Sequence, residues 1–289
     1  MIAETFTALV TPFKNNKIDE KSLEKLVEFQ IAGGVSGIVP CGTTGESPTL
    51  SHEEHNLVIE LCVKIANGRV KIMAGTGSNS TDEAVTMTAH AKKVGADSCL
   101  IVAPYYNKPT AEGIYQHYKA LNECGIPLFV YNVPGRSVIN ISDQNLARLA
   151  ELENVVGIKD ATGDLARLAT MRLVIKKKFS YLSGEDVTAV GYNAMGGNGV
   201  ISVTSNIAPK LVSDLQKATE KADYTTALKI QDQLTALHDV MFCETNPIPV
   251  KYAASLMGLC SAETRLPLVT PSDGAKVKIE NEMRKLGLV

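Results

Sequence analysis

The sequence lacks the features that would mark a nucleic-acid-binding, membrane-embedded or exported protein. Its 29 basic and 31 acidic residues give a net charge of −2 at pH 7, so no excess positive charge is available to grip nucleic acid or an acidic membrane. No apolar run approaches the roughly 18 residues that a membrane-spanning helix needs. The first residues, MIAETFTALVTPF, have neither a basic segment nor a long apolar one, and we therefore expect no signal peptide.

Closely spaced cysteine pairs and metal-binding patterns are also missing. None of the six cysteines stands in a C-x-x-C pair, and each lies among apolar or small residues, where a reduced thiol packs as a small hydrophobic side chain. This usage predicts a reducing, cytoplasmic compartment. His52 and His55 are three residues apart rather than the four of H-E-x-x-H, and they follow Ser51, a good helix N-cap. We expect a helix start here and no metal site.

The sequence does contain a regular alternation of short β-rich runs with longer amphipathic stretches. Most of these runs begin about 25–35 residues apart, which is the length of one strand–helix unit. Eight runs occur, and they begin at Thr5, Gly34, Lys71, Ala96, Ile126, Val155, Phe179 and Gly197. Eight parallel strands with intervening helices can close into a (β/α)8 barrel. An open doubly wound sheet is the competing arrangement, and the lack of a dinucleotide-binding fingerprint after the first run favours the barrel.

The last part of the chain changes character, because no β-rich run follows Ser205. Residues 206–289 are typical of helices, interrupted by Pro247, Pro249 and Pro267. The sequence therefore predicts an α/β protein with a catalytic barrel over residues 1–224. A C-terminal helical domain over residues 225–289 is expected to act as a cap or an interface.

A lysine inside the sixth β-rich run is the strongest candidate for a catalytic residue. Lys159 stands in VVGIKDAT, and alternation places it on the same face as Gly157 and Ala161, whose small size leaves room around an amine. Loss of hydration inside a barrel favours the neutral amine, which is the form that attacks a carbonyl to make a Schiff base. The competing interpretation is a lysine at a strand end whose ammonium reaches water.

Three further features are expected near the carboxyl ends of the strands, where such barrels carry their active sites. Tyr131 could shuttle protons beside Lys159, although a core aromatic is the simpler interpretation. The GTTGES segment, Gly42–Ser47, offers glycines, hydroxyls and N–H groups that suit a carboxylate, unless it is an ordinary turn. Arg136 could clamp a second carboxylate, unless it is a surface arginine.

At this point the chain resembles the dihydrodipicolinate synthase family, within the N-acetylneuraminate lyase superfamily, over essentially its whole length. The matching motifs are ALVTPF near the start, Gly42–Ser47, Pro104–Asn107 (PYYN), Tyr131–Arg136 (YNVPGR), Gly157–Gly163 (GIKDATG), Ser183–Asp186 (SGED), Gly199–Ser205 (GVISVTS) and Glu244–Lys251 (ETNPIPVK). The departures are mild, at Gly135 and Glu185, where the family often carries another small residue and an aspartate.

The resemblance implies a lyase of diaminopimelate and lysine biosynthesis that needs no cofactor. Lys159 would form an imine with pyruvate, and the derived enamine would attack the aldehyde of L-aspartate 4-semialdehyde. Thr43, Tyr131 and Tyr106 match a proton relay in which Tyr106 enters the neighbouring subunit's site, which implies a homotetramer built as a dimer of dimers.

The resemblance also implies the residues that bind the two substrates. Thr43 and Thr44 would hold the carboxylate of pyruvate, while Gly184 and the backbone carbonyl of Ile201 would line the site. Arg136 would bind the carboxylate of the semialdehyde, and it disfavours the rival sialic-acid and sugar-acid lyases, whose substrates are polyols. A non-catalytic keto-acid sensor is a second rival, but it would be expected to have lost Lys159, Tyr131 or Thr43.

Lysine-inhibited members of the family bind the effector at a dimer interface, and the resemblance extends to that site. The matching residues are Ser47, His52, His55, Asn79, Glu83 and Tyr105. Glu83 would pair with the ammonium of L-lysine. The alternative is that these residues cap helices and pack an interface.

Overall fold

A closed barrel of parallel strands forms the centre of the structure, a computed structural model that describes residues 3–289. The barrel strands are β1 (Glu4–Ala8), β4 (Gly37–Val39), β5 (Lys71–Gly75), β6 (Ser98–Val102), β7 (Leu128–Asn132), β8 (Val155–Asp160), β9 (Ser180–Ser183) and β10 (Gly199–Ser202). They follow one another in chain order, and β10 pairs with β1 to close the ring. Two short strands, β2 (Phe13–Lys14) and β3 (Lys17–Ile18), form a separate antiparallel hairpin. Each predicted β-rich run overlaps one barrel strand, so the barrel prediction is confirmed and the open sheet is wrong.

Helices connect the strands and cover the outside of the barrel. They are α1 (Glu20–Ala32), α2 (His52–Ala66), α3 (Thr81–Val94), α4 (Ala111–Asn122), α5 (Pro134–Ser137), α6 (Asp143–Ala150), α7 (Leu165–Val174), α8 (Ala189–Ala194) and α9 (Pro209–Glu220). Short 3-10 turns cover Ser47–Thr49 and Thr204–Asn206. The close spacing of the last two β-rich runs leaves room for only a brief helix, and α8 has six residues.

The start of α2 is the helix start that Ser51 predicts. The Ser51 hydroxyl accepts a hydrogen bond from the Glu54 N–H at 3.2 Å, and the Glu54 carboxylate accepts one from the Ser51 N–H at 3.0 Å. This reciprocal pair is a capping box, which satisfies two N–H groups that a helix leaves free at its first turn. His52 and His55 therefore lie in the first turns of a well-capped helix.

Apolar side chains fill the barrel and also the layer between the strands and the helices. Inside the barrel, the ring of Phe129 lies against Gly157, where a Cβ atom would come within 2.4 Å of a ring carbon. The space beside Gly157 is thus occupied by Phe129, which differs from the expectation that Gly157 leaves room for the amine of Lys159. The reason is that an inward aromatic ring on β7 faces the register-matched glycine on β8.

After the barrel, three helices pack onto its outer core: α10 (Tyr224–Val240), α11 (Ile248–Leu256) and α12 (Asp273–Lys285). Leu237, Val250 and Ile279 belong to the same buried cluster as the side chains beneath α1 and α2. Pro249 lies in the first turn of α11 and does not interrupt it, because the first N–H groups of a helix have no partner within it. None of the helices within residues 3–289 is both long and apolar enough to span a membrane.

Candidate active site

A cavity of about 220 Å³ opens at the carboxyl ends of the barrel strands. It is lined by Tyr131 on β7 and by side chains from the segments that follow β4, β6 and β7, among them Thr43, Ser47, Tyr105 and Arg136. A cavity at this end of a (β/α)8 barrel is where active sites of this fold are found. The loops that carry these side chains are held by the rigid strands below them.

Lys159 lies next to this cavity, on β8 and in register with Tyr131 on β7. Its Nζ atom is 4.3 Å from the centroid of the Tyr131 ring, and only 7% of the residue is exposed. The alternative of a strand-end lysine that reaches into water is therefore wrong. The amine instead lies over an aromatic face, at a distance where the ring can stabilise a cation.

Gly184, which follows β9, provides the space beside the lysine side chain. A Cβ atom at this position would come within 2.6 Å of Cβ of Ala161 and 3.1 Å of Cε of Lys159. Ala161 is the second small residue predicted beside Lys159. Both Ala161 and Lys159 lie against the position that a side chain at Gly184 would occupy. Ile201 lies on β10, buried in the inner apolar cluster of the barrel.

The loop after β4 presents its two threonines differently. Thr43 lines the cavity, and its carbonyl accepts a hydrogen bond from the Glu46 N–H at 3.1 Å. Thr44 is buried, and its hydroxyl accepts a hydrogen bond from Nδ2 of Asn246 at 3.0 Å. The fold thus places Thr43 at the cavity wall and anchors Thr44 to the chain just before α11.

Arg136 lies in α5, the single turn that follows β7, and reaches the cavity from its rim. Its Nη2 atom donates to the carbonyl oxygen of Asn246 at 3.2 Å. The turn is tightened by the Ser137 hydroxyl, which bonds to the carbonyls of Val133 and Ile139. Asn246 thereby contacts both Thr44 and Arg136, a connection that the sequence analysis missed although it quoted the ETNPIPVK segment as a motif.

Two carboxyl groups near Lys159 are affected by burial. Glu185 is half-buried next to Gly184, and its pKa is raised by burial and by Asp186, with Lys159 acting in the opposite direction. Asp160 points away from the barrel interior, and burial raises its pKa although Arg167 lies 3.4 Å away. Sequence reasoning noted Glu185 only as a departure from the family pattern. Within residues 3–289, no cluster of three His, Cys, Asp or Glu side chains is placed to hold a metal ion.

Tyr105 and Tyr106 point in different directions. Tyr105 lines the cavity, whereas Tyr106 is 94% exposed and has a backbone φ of +71°. A positive φ is uncommon for a residue with a side chain. The structure of one chain therefore does not bring Tyr106 together with Thr43 and Tyr131.

A second polar cluster lies beside the cavity, around Glu83. One Glu83 oxygen is 2.6 Å from Nε2 of His52, and the other accepts from the Ser78 hydroxyl. These contacts lower the pKa of Glu83, and the hydrogen bond from Ser78 has the largest effect. The pKa of Tyr105 is raised, mainly by burial and secondly by the charge of Glu83. Ser78 is a member of this cluster that the sequence analysis did not single out.

The remaining residues of the expected effector site are spread around this cluster. Ser47 and Tyr105 lie on the wall of the main cavity, and His52 and Glu83 line a neighbouring depression. His55 is buried and pairs through Nε2 with the carbonyl of Gly75 at 2.9 Å, and burial lowers its pKa. Asn79 is half-buried, and its carbonyl accepts from Asn107.

A buried lysine beside a tyrosine, at the mouth of a (β/α)8 barrel, is the arrangement of a lyase that works through a Schiff base. Comparison with known proteins identifies the particular family. The model of the dihydrodipicolinate synthetase family matches residues 1–286, and the chain belongs to this family. The 4-hydroxy-tetrahydrodipicolinate synthase of Parvibaculum lavamentivorans is 55% identical over 290 residues and over the full length of both chains.

Solved structures of this family have the same fold as the chain. The chloride-inhibited dihydrodipicolinate synthase of Acinetobacter baumannii, in complex with pyruvate, is 46% identical with a TM-score of 0.97 and full coverage of both chains. The lysine-bound enzyme of Cyanidioschyzon merolae is 34% identical with a TM-score of 0.94, covering 100% of this chain and 99% of its own. The comparisons support synthesis of 4-hydroxy-tetrahydrodipicolinate as the function, and sugar-acid lyases and a non-catalytic sensor are not favoured.

Proposed function

We propose that this chain condenses pyruvate with L-aspartate 4-semialdehyde, with Lys159 as the nucleophile. The observation that carries the proposal is the buried Lys159 amine beside Tyr131, next to a cavity at the barrel mouth. The neutral amine adds to C2 of pyruvate, and loss of one water molecule gives the imine. Thr43, at the cavity wall, and Thr44 hold the pyruvate carboxylate through hydroxyl and backbone N–H groups.

The second half of the reaction uses the imine as an electron sink. Loss of a proton from the pyruvate methyl group gives an enamine, whose carbon attacks the aldehyde of the semialdehyde. The amino group of the second substrate then attacks the imine carbon and expels the Lys159 amine, which closes the ring and regenerates the enzyme. Arg136, at the cavity rim, binds the carboxylate of the semialdehyde, while Gly184 and the Ile201 carbonyl line the site.

Of the three hydroxyls that the family resemblance implies for proton transfer, one chain places two at its own cavity, those of Thr43 and Tyr131. We assign the relay to Thr43, Tyr131 and Tyr106, with Tyr106 supplied by a neighbouring copy of the chain. The 94% exposure of the Tyr106 side chain supports this assignment, because an aromatic residue so fully exposed is available to enter a partner. An exchange of Tyr106 needs at least two copies of the chain, and for the whole assembly we propose a homotetramer built as a dimer of dimers, as the family resemblance implies.

The reaction with Lys159 is tested by incubating the protein with pyruvate and sodium borohydride, followed by intact-mass and peptide mass spectrometry. We expect one reduced pyruvate per chain, located on Lys159, and no adduct on the Lys159→Ala variant. A second assay then measures turnover of the semialdehyde against cleavage of sialic or sugar acids. An unmodified chain in folded wild-type protein would remove the Schiff-base proposal.

We also propose that L-lysine inhibits the enzyme by binding near Ser47, His52, His55, Asn79, Glu83 and Tyr105. The lysine-bound relative from Cyanidioschyzon merolae supports the effector, and the Glu83 carboxylate offers a counter-charge for its ammonium. Steady-state assays with and without millimolar lysine, on the wild type and on Glu83→Gln, test this. An unchanged wild-type rate would refute it.

Two further assignments extend this proposal. The barrel over residues 1–224 would be the catalytic domain, and residues 225–289 a helical domain whose first residues lie at the start of α10. The six cysteines are free, and Cys41, Cys62 and Cys99 are buried, which supports work in a reducing cytoplasm. Limited proteolysis would test the boundary, and cell fractionation the location.

A further inference from the structure

A buried ion pair joins the GTTGES loop to α11, outside the cavity. Oε1 of Glu46 and Nζ of Lys251 are 2.5 Å apart, and both side chains are fully buried. The second Glu46 oxygen accepts the backbone N–H of Arg265 at 3.0 Å. Removing two charges from water is costly unless close contact and further hydrogen bonds compensate, so a buried pair is weak evidence for stability and better explained by a positional role.

The surroundings of the pair leave Lys251 dependent on Glu46. Its Nζ atom lies 4.0 Å from the centroid of the Phe13 ring, and Cζ of Arg265 lies 4.3 Å from the same centroid. Burial lowers the pKa of Lys251, and the Glu46 carboxylate opposes that effect. Cys260 and Glu263 also oppose the effect of burial on the pKa of Lys251, but Glu46 contributes most.

The backbone of Glu46 connects the ion pair directly to the cavity. Glu46 has a φ of +55°, in the left-handed region that residues with side chains rarely adopt. Such a conformation persists where the surrounding contacts determine it, and it is concentrated at functional sites. The Glu46 N–H donates to the carbonyl of Thr43, so the position of Glu46 fixes that of Thr43.

The second threonine of the loop is attached to the same C-terminal segment. Lys251 lies in α11, and Asn246, just before this helix, donates through its side chain to the Thr44 hydroxyl. Thr43 and Thr44 are thus both attached to the segment that carries α11, one through the ion pair and one through an amide. The two contacts differ in chemistry, since one uses a carboxylate and the other a hydroxyl.

We infer that the Glu46–Lys251 ion pair is a positioning device that sets the Thr43–Thr44 loop for the carboxylate of the keto acid. This rests on the proposed function, because it takes the two threonines as the pyruvate-binding residues. The pair touches no substrate. Its loss weakens pyruvate binding and slows imine formation, while the semialdehyde, held by Arg136, is bound as before.

The test uses full-length Glu46→Gln, Lys251→Met and the double variant, each close in size to the original side chains. Two quantities are measured: the pyruvate KM, and the pyruvate concentration that gives half-maximal borohydride trapping at Lys159. We expect both to rise about tenfold in each single variant, with the semialdehyde KM within about twofold of wild type. The double variant, which buries no unpaired charge, should recover part of the loss.

Ile279→Ala in α12 is the matched control, because Ile279 is buried in the apolar cluster of the same C-terminal region and takes no part in the Glu46–Lys251 ion pair. It should lower Tm while leaving the pyruvate KM unchanged. The inference is overturned if Glu46→Gln and the double variant keep the wild-type pyruvate KM, or if Ile279→Ala raises it equally. If Lys251→Met does not fold, the pyruvate KM values of Glu46→Gln and of the double variant decide the question. Absence of an adduct on the wild type would instead refute the proposed function itself.

Discussion

The position of the Lys159 side chain depends on the absence of a side chain at Gly184. Lys159 is buried between strands, and its stem passes close to the point where a residue-184 side chain would begin. The sequence marks Gly184 only as part of a motif, whereas the structure gives the steric reason. A lysine that must attack a carbonyl needs a fixed Nζ position, since small displacements of reacting groups reduce rates strongly.

Gly184→Ala is therefore expected to impair imine formation without unfolding the protein. The added methyl group meets Cβ of Ala161 at 2.6 Å, so the segments that carry Ala161 and Gly184 must move apart, and at 3.1 Å it also presses on Cε of Lys159. We expect kcat/KM for pyruvate to fall by about 10- to 100-fold. Gly274→Ala, where a Cβ atom meets nothing within 4 Å, is the matched control. Equal kinetics for both variants would show that Gly184 makes no room for Lys159.

The buried imidazole of His117 predicts a loss of stability in mild acid. Burial lowers its pKa from 6.5 to about 4, so the unfolded chain binds more protons than the folded one between these values. Stability contributed by His117 is complete above pH 6.5 and falls as the pH drops towards 4. From pH 7 to pH 5 the expected loss is about 2 kcal/mol.

Urea unfolding at pH 7 and pH 5, at one fixed protein concentration, measures this loss. His117→Gln should show a smaller decrease in the free energy of unfolding over the same interval, because its side chain does not titrate. If the variant and the wild type lose the same amount, other groups dominate the acid response and the assignment to His117 is wrong.

At the scale of elements, the N-termini of the helices show where local sequence has direct control. Ser51 and Glu54 form the capping box of α2, and Glu54 also receives both Nη atoms of Arg265. Ser80 occupies the same position before α3 but makes no capping hydrogen bond. Both serines are good N-cap residues by type, so only the structure distinguishes them.

Ser51→Ala is accordingly expected to lower the free energy of unfolding by about 1 kcal/mol, the usual cost of losing a cap. Ser80→Ala provides the matched control and should change it little, because no capping hydrogen bond is lost. Chemical unfolding of the two variants beside the wild type measures the difference. A larger effect for Ser80→Ala would contradict the assignment of the caps.

At the scale of the whole molecule, the fully exposed Tyr106 decides whether one chain contains a complete site. If Tyr106 acts in a neighbouring subunit, two inactive variants can complement each other. A mixed assembly of Tyr106→Phe and Lys159→Ala pairs an intact lysine in one subunit with an intact tyrosine from the next. We expect each homo-oligomer to be nearly inactive and the mixed assembly to regain a substantial part of the wild-type rate.

Co-expression with two affinity tags and sequential purification gives the mixed assembly for rate measurements. Mixed assemblies as inactive as the parents would mean that Tyr106 acts in its own chain or not at all. A mixture of the separately purified variants, assayed before subunits exchange, is the control. The oligomeric state is measured in parallel by sedimentation.

Part of the site could be predicted because the relevant information is local. Alternation within β8 places Lys159 on the inward face, and the spacing of β-rich runs brings their carboxyl ends to one rim. Thr43 and Arg136 follow such runs and Tyr131 lies within one, and the structure places all three at the cavity. The space beside Gly157 was predicted wrongly, because the Phe129 ring that fills it comes from another strand.

The sequence by itself determined the order of strands and helices and the candidate residues at strand ends, since these depend on neighbours within one or two turns. Only the tertiary structure decided that Glu46 pairs with Lys251, 205 residues away, and that Asn246 holds Thr44 from 202 residues away. No periodicity encodes such contacts, because they form only when the closed barrel and α11 bring distant segments together. The physical cause is the closing of the barrel, which determines which side chains are buried and which charges pair.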